Sequence, residues 1–193
     1  MSSDFTGSTA LERTTSATRA ESRAGLLEEE VISLFDELRD PLLRYLSSLG
    51  VAVADGEEVV QESFLSLFEH LRSGKSRENL RGWLFRVAHN LALKRRYKNR
   101  REFDARAFAG AEEMVEDPGP NPEDQLLRNQ TQQRLQAVIQ ALPEQDRRCL
   151  FLRAEGLRYR GIARVLDMSL SAVSLSLARS LARVARAAER CKL

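Results

Sequence analysis

The stretch YRGIARVLDMSLSAVSLSLARSLARVAR, Tyr159 to Arg186, restricts the possible folds more than any other part of the chain. Ile162, Ala163, Val165 and Leu166 form the apolar stripe of a short helix, and Ala163 is small enough to let another helix cross closely. Asp167 stands at the turn; after glycine, Asp is among the few residues that tolerate a left-handed conformation. Ser169 or Ser171 is placed to cap the second helix. At about 100° per residue, Leu170, Val173, Leu177, Leu181 and Val184 share one face of that helix, with Arg179, Arg183, Arg186 and Arg190 nearly opposite. A helix, a tight turn and a helix with a cationic stripe make the layout of a DNA-reading helix-turn-helix. Cations that neutralise phosphates gain affinity by releasing counterions. On an isolated amphipathic helix the same arginines would be a solvated face; the turn and Ala163 favour DNA.

Upstream, Leu27, Val31, Leu34, Leu38, Leu42, Leu46 and Leu49 recur at three-to-four spacing, which predicts a helix that Pro41 bends or interrupts and Gly50 ends. Asp55 and Glu58 resemble a capping box ahead of a second helix carrying Val59, Phe64, Leu67, Phe68 and Leu71. Arg72 to Asn79 is a polar loop. A third helix starts near Leu80, with Trp83, Leu84, Val87 and Leu91 on one side, and runs into KRRYKNRR, Lys94 to Arg101. Three amphipathic helices can bury one another, so residues 26–101 are expected to form one domain, preceded by a Ser/Thr-rich, mobile tail over 1–25. Residues 102–125 read as a linker, because Pro118, Pro120 and Pro122 at alternate positions prevent a helix. Helical spacing returns with Leu126, Leu135, Val138, Ile139 and Leu142, breaks at Pro143 and resumes over Glu144 to Ala154 up to Gly156. The helix-turn-helix domain thus spans 126–193. No stretch alternates as a strand would, so the fold class is all-α, two small helical domains joined by an acidic, Pro-containing linker.

Net charge is only +2, but it is segregated: KRRYKNRR holds six bases and no acid, while Glu112 to Asp124 holds six acids and no base. That pattern favours separate interaction surfaces. Cys149 and Cys191 lie far apart, outside any closely spaced Cys/His set, so neither a disulfide framework nor a metal site is indicated, and Cys149 reads as a small buried hydrophobe. No apolar run approaches the roughly 18 residues needed to span a bilayer. A cytoplasmic protein with no cofactor and no membrane insertion is the expectation.

With both domains drawn, the chain resembles bacterial RNA polymerase sigma factors of the compact extracytoplasmic-function (ECF) type over Leu27 to Arg186. DGEEVVQESFLSLFEHL, from Asp55, is similar to that family's Asp-Ala-Glu-Asp-Leu-Val-Gln-Glu-x-Phe helix. LRGWLFRVAHNLALKRRYKNRR is similar to its Trp-Leu-x-x-Ile-Ala-x-Asn run into basic residues, and LPEQDRR with the helix-turn-helix to its Leu-Pro-x-x-x-Arg segment and reading helices. The resemblance implies a −10-reading domain, a linker threading the polymerase and a −35-reading domain, with core RNA polymerase and promoter DNA as partners and an anti-sigma factor as a further one. It assigns polymerase docking to Glu58, Gln61, Glu62 and Ser63, which periodicity alone reads as the polar side of a helix. It assigns an extruded −10 base to the loop residues Ser76, Arg77 and Asn79, and phosphates or duplex edges to Arg86, Asn90, Lys94 and Arg95. Trp83 is either a core anchor or a stacking platform. His70 and His89, each a helical histidine with no evident partner, read as surface or half-buried residues.

On the −35 side the resemblance points to Ser171, Ala172, Leu175, Ser176, Arg179 and Arg183. Ser174 and Ser176 depart from the family, which commonly has Lys and Arg there, and Lys94 stands where an Asp is usual. The reading head is then weakly charged: small side chains reach a thymine methyl, serine bonds several base edges, and Arg179 and Arg183 supply phosphate contact. Two rivals remain. A stand-alone helix-turn-helix regulator explains Tyr159 to Arg186 but leaves Asp55 to Arg101 unaccounted for. A nucleic-acid enzyme would need an activated nucleophile or a carboxylate cluster, and Tyr97 and Tyr159 have no such surroundings in the sequence.

Overall fold

A computed structural model of the chain describes residues 8–108 and 129–190, with side-chain surroundings over 25–101 and 135–189. The described residues form seven helices and no strand: α1 (Ser8–Ser48), α2 (Val53–Arg72), α3 (Leu80–Phe108), α4 (Asn129–Gln140), α5 (Glu144–Ala154), α6 (Tyr159–Leu166) and α7 (Leu170–Arg190). Of the expected linker, 102–108 continues α3 and the remainder lies outside the described residues, as do 1–7 and Cys191.

Three further expectations need correction. The helix expected from Leu27 begins at Ser8. Ala, Leu, Glu and Arg dominate the stretch from Ala10 to Ala24, without Pro or Gly, and each propagates a helix once a nucleus exists. The structureless tail expected over 1–25 is therefore helical from residue 8 onward. Pro41 does not interrupt α1. An interior proline costs about 3 kcal/mol. Leu38, Leu42, Tyr45 and Leu46 around it are fully buried, and each such side chain contributes roughly 1.5–3 kcal/mol, so packing wins. Asp55 does not open α2, which begins at Val53 behind an uncapped Ala52. It lies in the first turn, where a carboxylate favours the helix dipole, and accepts a hydrogen bond from Asn99 Nδ2 at 3.0 Å.

The helix ends follow the expected punctuation. Gly50 (φ 75°) and Gly156 (φ 84°) hold the left-handed position past α1 and α5. In both turns the next N–H reaches back, Val51 to the Leu46 carbonyl at 3.2 Å and Leu157 to Leu152 at 3.0 Å, satisfying otherwise orphaned carbonyls. Val51 and Leu157 are buried beside them. After α6 the same position belongs to Asp167, at φ 53° and ψ 49°, as the turn requires. Ser169, rather than Ser171, caps α7 by accepting the Ala172 N–H at 3.1 Å.

α1 and α2 pack together and α3 closes the first three-helix unit; α5, α6 and α7 pack around one another, with α4 along α7. α3 also lies against α6 and α1 against α5, so the buried residues of both halves form one contiguous cluster. Polar ties frame that contact. Arg44 grips the Glu155 carboxylate through Nε (2.9 Å) and Nη2 (2.8 Å). Arg81 donates to the Glu155 carbonyl at 2.8 Å and to Glu37 at 2.9 Å. Cys149 is fully buried, its sulfur 3.8 Å from that of Met168, as expected of a small hydrophobe.

Candidate nucleic-acid interface

On α2 the apolar residues Val59, Val60, Phe64, Leu67 and Leu71 turn inward, which leaves Glu58, Gln61 and Glu62 on the outside. Leu65, one turn further along, is 61% exposed and adds an apolar side chain to this acidic face. Ser63 does not belong to it. The residue is fully buried and its hydroxyl donates to the Val59 carbonyl at 2.7 Å, because position 63 falls on the core side of the helix. Glu58 is tied across to α3: Arg95 Nη1 lies 2.7 Å from its carboxylate and 3.7 Å from that of Asp55. Arg95, expected on DNA, thus begins as a bridge between α2 and α3.

The loop between α2 and α3 is braced from several sides. His70 Nε2 donates to the Ser76 carbonyl at 2.9 Å, the Ser76 hydroxyl accepts the Glu78 N–H at 3.2 Å, and Arg77 pairs with Glu30 at 3.1 Å. Asn79 takes up a left-handed conformation (φ 54°), and its Oδ1 accepts the Gly82 N–H at 3.3 Å as the N-cap of α3. A Cβ at residue 82 would meet the Asn79 amide at 2.4 Å, so a larger residue there would push the capping side chain aside. The Asn79 oxygen is therefore engaged locally. Trp83 is half-buried against the core with its ring 4.7 Å from that of His70, which places it between the two roles open to it in the sequence. Arg86, Asn90 and Lys94, four apart, form an exposed ridge along α3.

The two histidines have partners. His89 is buried, 4% exposed, with Nδ1 2.9 Å from the Tyr45 hydroxyl, so it faces the core and not a ligand. Burial, reinforced by the Arg148 charge, lowers its pKa from 6.5 to about 4 and keeps the ring neutral.

On α7, Ser171 and Leu175 are exposed and Ala172 half-buried, with Arg179 and Arg183 on the outer side. Ser176 is the exception. At 1% exposure its hydroxyl donates to the Asp146 carboxylate at 2.7 Å. Its side chain is thus used internally, facing α5 and not the outside of α7. Arg179 Nη2 reaches the same Asp146 oxygen at 3.0 Å, with about half the Arg179 side chain still exposed. Arg183 and Arg186, with Val138, Ala141 and Ala187, line a shallow groove between α4 and α7. Among the described residues no group of His, Cys, Asp and Glu is arranged to hold a metal ion.

Comparison with known proteins bears on both halves. Residues 34–102 match the family model for Sigma-70 region 2, and residues 132–184 that for Sigma-70 region 4. The ECF RNA polymerase sigma-E factor of Salmonella typhimurium is 32% identical over 137 residues, covering 66% of this chain and 71% of that protein. The chain belongs to the ECF sigma factors. A probable RNA polymerase sigma factor of Xanthomonas campestris, RfaY, is 31% identical over 134 residues, covering 68% of this sigma factor but only 34% of its own length. In fold, this sigma factor is similar to RpoE of Bartonella quintana, solved with the anti-sigma factor NepR, with a TM-score of 0.59, 19% identity and coverage of 84% and 96% of the two chains.

Sequence reasoning passed over Asp146, Leu65 and the Arg44–Glu155 pair. Leu65 carries a signal, since an apolar side chain off the Phe64, Leu67, Phe68 stripe has no core to enter. Asp146 carries none, because a carboxylate in a first helical turn is ordinary. No single helix among the described residues is long and apolar enough to cross a membrane.

Proposed function

We propose that this sigma factor docks on core RNA polymerase through the α2 face of Glu58, Gln61, Glu62 and Leu65, and reads promoter DNA at two places. The −10 side consists of the loop at Ser76 and Arg77 with Trp83 and the α3 ridge of Arg86, Asn90 and Lys94. The −35 side consists of Ser171, Ala172 and Leu175, with Arg179 and Arg183 on phosphate. Arg95 joins the first two surfaces, releasing Glu58 when it turns to DNA. The polymerase carries the chemistry and this chain positions it, in the cytoplasm where that enzyme works. An anti-sigma protein that covers the α2 face is a third partner in this reading.

The observation that carries the proposal is the α2 face itself. Exposed Glu58, Gln61 and Glu62 stand beside one exposed leucine a turn further on, on a helix whose opposite side is used by the core, so the face joins an apolar contact to polar neighbours as small interfaces do. Gln61→Ala with Glu62→Ala is expected to lower the affinity for core polymerase about tenfold in a titration with purified core enzyme, leaving the unfolding temperature unchanged. Equal affinity of the double variant removes the assignment.

A further inference from the structure

Asp146 is 3% exposed and belongs to no surface described above, yet two residues of α7 converge on its carboxylate. The Ser176 hydroxyl donates to Oδ1 at 2.7 Å and Arg179 Nη2 donates to the same oxygen at 3.0 Å, while the Ser180 hydroxyl donates to the Ser176 carbonyl at 2.9 Å. Positions 176 and 179 are neighbours on the surface of a helix, so one residue of α5 holds this turn of α7 at two points. The carboxylate sits in the first turn of α5, where the helix N-terminus favours negative charge.

Apolar packing alone leaves a helix some freedom to rotate about its axis, because burial is non-directional. Val173 and Leu177 supply that packing. A hydrogen bond to a buried carboxylate is directional, and a buried charge left unpaired is costly, so the Asp146 contact selects one rotation of α7. Arg179 matters most here. At about 100° per residue it stands roughly 60° round from Ser176 and 40° from Leu175, between the buried side and the exposed reading side. One nitrogen of its guanidinium holds Asp146 while about half of the side chain stays in solvent. A guanidinium presents five N–H donors, so those not engaged with Asp146 can meet a phosphate from a fixed position.

We infer that Asp146 is a positioning residue for promoter reading: it sets the rotation of α7 through Ser176 and tethers Arg179 at the edge of the reading face, so that Arg179 meets its phosphate from one fixed position. The inference rests on α7 being the −35 reader.

The test uses the full chain with core polymerase and duplexes selected by that holoenzyme from a library randomised in the −35 region, compared with scrambled duplexes over a salt series. Asp146→Asn keeps an acceptor for Ser176 and, by removing the charge, loosens the hold on Arg179. It is expected to lower discrimination three- to tenfold, because Arg179 then meets its phosphate from a less fixed position, and to leave the slope of log affinity against log salt unchanged, because the number of phosphate contacts is the same. In an Arg179→Ala background the same substitution is expected to leave discrimination unchanged as well. Should Asp146→Asn unfold, Ser176→Ala, which keeps the carboxylate, is expected to lower discrimination about threefold with an unchanged salt slope. Unaltered discrimination in Asp146→Asn, or in Ser176→Ala where that variant replaces it, overturns the inference, as does an Asp146→Asn effect that persists at full size without Arg179. If the unsubstituted holoenzyme selects no −35 element, the −35 reading itself fails and this inference with it.

Discussion

His89 illustrates how one side chain changes meaning between sequence and structure. In the sequence it is a lone helical histidine beside residues assigned to DNA; in the fold it meets Tyr45 in the core, where burial also pushes the Tyr45 phenol up. A pKa lowered to about 4 means that the unfolded chain binds more protons than the folded one between about pH 4 and 6.5. Stability is therefore full above about pH 6.5 and declines as pH falls toward 4, by about 3 kcal/mol in all. Urea unfolding at pH 7 and pH 5 is expected to show that decline, and His89→Gln, though less stable at pH 7, is expected to lose much less over the same interval. The same logic separates Ser63 and Ser176 from their neighbours, since a hydroxyl already bonded inside the protein is not available to a partner.

At the level of single elements, the turn between α6 and α7 has the sharpest requirement. Asp167 occupies a left-handed conformation that costs an ordinary L-residue roughly 1–2 kcal/mol. Asp167→Gly is expected to leave stability unchanged within about 0.5 kcal/mol or raise it slightly, and Asp167→Val to lower it by about 1–2 kcal/mol. Urea midpoints at constant slope measure both. Because this turn sets the crossing of α6 and α7, Asp167→Val is also expected to weaken promoter binding by the holoenzyme, while core binding through α2 stays intact. α1 is the counter-example: Pro41 carries a strong local signal to break a helix, and the helix continues because four neighbouring residues are wholly buried.

Across the whole molecule, the two halves are held by polar ties at Arg44, Arg81 and Glu155 around apolar contact between α3 and α6. Glu155 is central, accepting Arg44 on its carboxylate and Arg81 on its carbonyl, and the first of these raises the Arg44 pKa above its ordinary value. Arg44→Ala with Arg81→Ala is expected to weaken the contact between halves by roughly 1–2 kcal/mol. Small-angle scattering is expected to show a larger radius of gyration, with far-ultraviolet dichroism unchanged. An unchanged radius would mean that Arg44 and Arg81 are not what holds the halves together.

The all-α class, the helix ends at Gly50 and Gly156, the left-handed Asp167 and the cap at Ser169 were legible in the chain because each depends on periodicity or on the backbone preference of one or two residues. The family was legible for a related reason: its motifs lie on single helices, where spacing along the chain is also spacing on a face. Tertiary structure alone decided that Ser63 turns inward, that Asp146 gathers Ser176 and Arg179, that His89 finds Tyr45 and that Arg95 bridges to Glu58. Ser63 is buried by the helices packed against its face of α2. In the other three the partners come from different helices, 30 to 44 residues apart in the chain. A contact of that kind follows from how helices pack, which no local pattern encodes.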